Sequence, residues 1–97
     1  MLTSKQRSKL RSLAQKLEPI TQLGKTGITP SFLDGLDCAL EKRELIKITV
    51  LENSGEEPKE VGNIIAEELG AEFVCATGRK LVFYRRSNNQ KIEHIEI

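Results

Sequence analysis

Between Leu10 and Arg86 the apolar residues of this 97-residue chain switch repeatedly from a helical spacing to a strand-like one. That alternation confines it to a layered α/β fold. Leu10, Leu13, Ala14 and Leu17 recur at i, i+3, i+4 and i+7, so a helix is expected over residues 4–17, capped by Thr3 or Ser4 and ended by Pro19. A short strand is expected at 20–23. Thr29-Pro30 then has the form of an N-cap followed by a first helical residue, opening a helix to Arg43 with Phe32, Leu33, Leu36, Ala39 and Leu40 inward. Residues 45–51 form a β-branched strand, and Asn53-Ser54-Gly55 a loop. Residues 58–69 return to helical spacing, with Val61, Ile64, Ile65 and Leu69 inward and Gly70 as the stop. Residues 71–77 and 80–86 read as a hairpin turning at Gly78-Arg79.

The order is α-β-α-β-α-β-β. Strands linked through helices run parallel by right-handed crossovers, and a hairpin pair runs antiparallel. The expected fold is a single α/β domain, a mixed four-stranded sheet with helices packed on it. The length and a hydrophobic content of 38% suit one core.

The segment with most chemistry in it is Gly24-Lys25-Thr26-Gly27, between the first strand and the second helix. Glycines admit a positive φ and let a ligand approach the backbone with no Cβ in the way. Amides at a helix start sit at the positive end of its dipole, and Lys25 adds a full charge. A glycine-x-x-glycine loop of this kind clamps a nucleic-acid backbone in the KH module. The longer Walker loop and the dinucleotide Gly-x-Gly-x-x-Gly are both absent, so a nucleotide-binding enzyme is disfavoured relative to a clamp on a polymer backbone.

A formal net charge of +1 conceals segregation: the balance is +4 over residues 1–51, −6 over 52–72 and +3 over 73–97. If the fold joins the first and last thirds, it acquires one basic and one acidic face, and the basic one attracts a polyanion. Lys5, Arg7 and Lys9 on the first helix and Arg85 and Arg86 after the hairpin are the secondary phosphate contacts. One Tyr, three Phe and no Trp make a base-stacking platform a poor prospect, so recognition is expected of backbone and shape.

No catalytic or metal constellation can be assembled. The only histidine, His94, lies in the tail, and with Cys38 and Cys75 it makes neither a triad nor a zinc site. The two cysteines are expected to be reduced, buried small hydrophobes. The amino terminus has no signal-peptide pattern, and no run approaches the ~20 apolar residues that span a bilayer. The reading is a cytoplasmic, non-enzymatic protein with no cofactor, no metal, no small-molecule substrate and no membrane partner.

Four stretches in order resemble the CRM domain (chloroplast RNA splicing and ribosome maturation) and its stand-alone bacterial YhbY type. They are Leu2-Thr3-Ser4-Lys5-Gln6-Arg7, Leu23-Gly24-Lys25-Thr26-Gly27, Glu44-Leu45-Ile46-Lys47-Ile48 and Gly78-Arg79-Lys80-Leu81-Val82-Phe83-Tyr84-Arg85. Phe83 stands where leucine is more usual. The resemblance covers residues 1–87 and leaves 88–97 as a C-terminal tail. It implies a fold similar to the C-terminal domain of translation initiation factor three, with Gly24, Lys25, Thr26 and Gly27 meeting the RNA backbone. It further implies ribosomal RNA in large-subunit precursors as the partner. The competing reading is a protein-interaction module whose acidic helix, residues 58–69, docks a basic ribosomal protein.

Overall fold

In the computed structural model, which describes residues 2–52, 55, 57–88, 91, 92, 94 and 95, helix α1 spans Ser4–Ala14. It opens on a reciprocal cap: the Gln6 N–H donates to Thr3 Oγ1 at 3.1 Å and the Thr3 N–H to Gln6 Oε1 at 3.0 Å. The expected turn to Leu17 is absent from the helix. Leu17 instead makes a turn bond to the Ala14 carbonyl, and its side chain packs beside α1. Strand β1 is Thr21–Leu23, α2 Pro30–Arg43, β2 Leu45–Val50, α3 Pro58–Leu69, β3 Glu72–Thr77 and β4 Lys80–Tyr84. Gly70 stops α3 in the left-handed conformation at φ 62°. Asn53 and Ser54 of the expected loop lie outside the described residues.

The sheet order is β1-β2-β4-β3, with β1 parallel to β2 and β4 antiparallel to both its neighbours. The hairpin therefore folds its second strand into the centre of the sheet. That position accounts for the unbroken burial of Leu81, Val82, Phe83 and Tyr84.

Because side chains alternate across a strand, β2 serves two cores. Ile46, Ile48 and Val50 meet Leu36 and Leu40 of α2 and Val61 and Ile65 of α3 on one face. Leu45 joins Val74, Val82 and Tyr84 beneath Leu10 and Ala14 of α1 on the other. The basic α1 thus shares one face with Lys47 of β2 and Lys80 of β4, while α2 and the acidic α3 lie on the opposite one.

Three expected core positions are corrected. Ile64 is 47% exposed, because the buried arc of α3 runs through Val61, Gly62 and Ile65, and Ile64 falls outside it. Cys38 is exposed: it lies two residues, about 200° around α2, from both Leu36 and Leu40. Leu13 is 37% exposed. Cys75 is partly buried, and both thiols are free.

His94 and Ile95 of the tail are tied to the end of α2. The buried Glu44 carboxylate accepts from the Ser87 N–H at 2.7 Å, the Ile95 N–H at 2.7 Å and His94 Nδ1 at 2.5 Å. Ile95 packs against the α1 core.

Candidate nucleic-acid interface

The Gly24–Gly27 segment closes as a tight turn, the Gly27 N–H donating to the Gly24 carbonyl at 3.1 Å. Lys25 and Thr26 stand exposed at its tip. Gly27 has φ 72°, a conformation that disfavours any side chain. Gly24 is different: it has no positive φ, and a Cβ there would meet only Leu51 Cδ1 at 3.7 Å. It leaves open the approach to the turn that a close backbone contact requires.

The helix start supplies fewer amides than expected. Thr29 Oγ1 accepts the Phe32 N–H at 3.1 Å, and Pro30 has none to give. Of the first three helical positions, only Ser31 retains an amide for a ligand. Positive charge at this end of the molecule accordingly comes from side chains.

Strand register decides which side chains those are. Val50, at the end of β2, pairs with Leu23, and Thr49 pairs with both Gln22 and Lys80. Lys80 and Thr77 therefore share the loop end of the sheet. Arg79 pins that corner, donating from Nε to the Val50 carbonyl at 2.6 Å and from Nη2 to the Leu51 carbonyl at 3.0 Å. Lys80 follows it, exposed.

The other nominated cations lie elsewhere. Tyr84 pairs with Leu45 at the start of β2, so Arg85 and Arg86 leave the sheet at its far end, about 16 Å of strand from the loop. Arg85 is also committed within the fold. Its Nη1 reaches Asp37 Oδ1 at 2.7 Å and the Leu69 carbonyl at 2.8 Å, and its Nη2 reaches Glu41 Oε1 at 3.2 Å. Arg7 similarly gives Nη1 to the Phe73 and Val74 carbonyls, each at 2.7 Å, where β3 bulges between Phe73 and Cys75. Arg7 and Arg85 hold structure, which their sequence positions did not disclose. Lys5, Lys9 and Arg86 are exposed. Lys47 and Lys80 are not among the contacts expected from the sequence; their alternation with the buried Ile46, Ile48 and Leu81 is the signal that puts both on the α1 face of the sheet.

Electrostatics at the far end follow from burial. Burial alone raises the Glu44 carboxyl, but the hydrogen bonds from His94, Ser87 and Ile95 outweigh it and leave the group below the ordinary 4.5. The Ser87 hydroxyl, chiefly, holds Glu41 below its ordinary value as well. Tyr84 is pushed up by burial and by the Glu44 charge.

No three-ligand cluster of His, Cys, Asp or Glu suited to a metal occurs among the described residues. None of the described helices is long and apolar enough to cross a membrane.

A Bacillus subtilis chain named "Probable RNA-binding protein YqeI" is 38% identical over 91 residues, covering 94% of this chain and 95% of its own. A Haemophilus influenzae chain named "RNA-binding protein" is 37% identical over 92 residues, 95% of this chain and 93% of that one. The solution structure of a Staphylococcus aureus protein put forward as an RNA binder superposes with a TM-score of 0.75 at 39% identity, over 98% of this chain and all of that one. These names describe RNA binders and no enzyme. The model of the CRS1 / YhbY (CRM) domain matches residues 2–85, and the chain belongs to that family.

Proposed function

We propose that this protein binds RNA through its backbone, with the Gly24–Gly27 turn as the point of closest contact, and that it acts on ribosomal RNA in precursors of the large subunit. The observation that carries the reading is the pairing of an exposed Lys25-Thr26 tip with a Gly24 whose Cβ position is open, at a corner pinned by Arg79. The names of the relatives support RNA as the ligand class. The aromatic rings support a backbone mode, since Phe83 and Tyr84 are buried and the half-buried Phe32 and Phe73 pack against the α2–α3 core. The large-subunit target rests on the family resemblance. Crosslinking and sequencing of bound RNA in cells tests it: enrichment of precursor large-subunit RNA supports the assignment, and recovery of messenger RNA alone sinks it. Lys25→Ala tests the turn: the melting temperature should hold while the log–log salt slope of RNA binding falls by about 0.7, one single-strand phosphate contact.

A second reading has an observation in its favour. Ile64 is 47% exposed on the same outward side of α3 as the exposed Glu60, Glu67 and Glu68. That combination suits a basic protein segment with one apolar anchor. Charge reversal of Glu60 and Glu67 abolishes such a contact and leaves RNA binding intact.

A further inference from the structure

Helix α1 covers only part of its face of the sheet. Arg7 reaches the start of β3, while Arg11 and Gln15 border an open groove of about 260 Å³ whose other side is Lys47, Thr77, Lys80 and Cys75. Ala14 and Val82 form its apolar floor. Three cationic side chains thus converge on one groove, and no carboxylate lines it among the described residues, in a chain with 14 acids to 15 bases.

The cations differ in how they are held. Lys47 is fixed by donating one proton to the Leu17 carbonyl at 3.1 Å, which leaves two for a ligand. Arg11 and Lys80 are exposed and form no ion pair among the described residues. Uncompensated positive charge against an apolar floor is a seat for an anion.

The groove is also continuous with the turn. Gln22, Thr49, Lys80 and Thr77 are successive cross-strand partners on this face, a polar row of roughly 14 Å at about 4.8 Å per strand. Gln22 is two residues from Gly24. A single strand of nucleic acid held at the turn can run along the row and drop its next phosphates beside Lys80, Arg11 and Lys47.

We infer that the groove between α1 and the open part of the sheet is a second phosphate seat for the RNA strand, with Arg11, Lys47 and Lys80 as its phosphate ligands. The inference rests on the RNA-backbone reading of the preceding subsection and adds residues outside the turn. It accounts for the loop end binding RNA although Arg7 and Arg85 are occupied.

The two cysteines supply a test on the unaltered protein. Cys75 lines the groove, whereas Cys38 is exposed on α2 across the sheet. Saturating oligouridylate should slow iodoacetamide alkylation of Cys75 several-fold and leave Cys38 unchanged. In parallel, Arg11→Ala with Lys80→Ala should lower the salt slope of oligouridylate binding by about 1.4, two phosphate contacts. Lys42→Ala with Arg43→Ala removes the same charge from exposed positions on α2 and should leave the slope alone. Equal losses in both pairs, or an unprotected Cys75 with an unchanged slope, overturn the seat. If Lys25→Ala still weakens binding in that case, the RNA-backbone reading survives its loss; if the unaltered protein fails to bind oligouridylate and structured ribosomal RNA alike, both fall together.

Discussion

His94 Nδ1 donates to Glu44 Oε2 at 2.5 Å, joining residues 50 apart across the end of the sheet remote from the glycine turn. Glu44 is fully buried and has φ 63°, a positive φ that among the described residues is otherwise taken by glycines. The strain is tolerated because the reversal from α2 into β2 points the carboxylate at three donors, Ser87 after β4 and His94 and Ile95 of the tail.

Stability should consequently decline in acid. Glu44 titrates below its ordinary 4.5 in the folded protein; its stabilisation is therefore complete above that value and is lost as pH falls through the lower folded value. Glu41 acts in the same direction. Glu44→Gln should cost about 1–3 kcal/mol at neutral pH by breaking this buried network, and should flatten the acid limb of the unfolding curve. Thermal melts of both proteins across that range check it. An unchanged acid limb in the variant would assign the pH dependence to other groups.

Arg85→Ala should weaken the fold and spare RNA binding. Its bonds to the Leu69 and Asp37 carbonyls tie the end of α3 to α2, whereas the Asp37 ion pair is half exposed and contributes little. A loss of about 1–2 kcal/mol should lower the melting temperature by roughly 4–16 °C in a domain of this size. RNA titration below the melt should match the unaltered protein, and a large affinity loss there would restore Arg85 as a contact.

Gly24→Asp and Gly27→Asp should behave differently. At Gly27 any side chain is strained by φ 72°, so the substitution damages fold and binding together. Gly24 accepts a Cβ in ordinary contact with Leu51. Aspartate there should hold the melting temperature to within a few degrees and reduce RNA affinity at least tenfold, by bulk and by charge. Unfolding and titration measured on both variants separate the two effects.

Gly62→Ala should destabilise despite alanine's better helix propensity. Propensity favours alanine by about 1 kcal/mol, but its Cβ would sit 2.6 Å from Phe73 Cε2. That ring is stacked on Phe83 at 5.6 Å and has little room to yield. Overpacking of about 1–3 kcal/mol should prevail, and a denaturant midpoint above that of the unaltered protein would show that the rings can move.

Much of the architecture is local and is therefore written in short stretches of sequence. The caps at Thr3 and Thr29, Pro30 at the first turn of α2, Gly70 at the end of α3 and the Gly78-Arg79 reversal each depend on neighbours within a few residues. Period and turn chemistry place their elements to within three residues at each end. The glycine turn was legible for the same reason. Strand order was not, because periodicity says which face a residue takes and nothing about which strand lies beside it; the insertion of β4 between β2 and β3 placed Lys80 near the turn and sent Arg85 away from it. Long side chains escaped for a related reason. Arg7 finds its carbonyls 66 and 67 residues away and Arg85 finds Asp37 at 48, so whether a cation is spent inside the fold or left for a polyanion is decided only when distant segments meet.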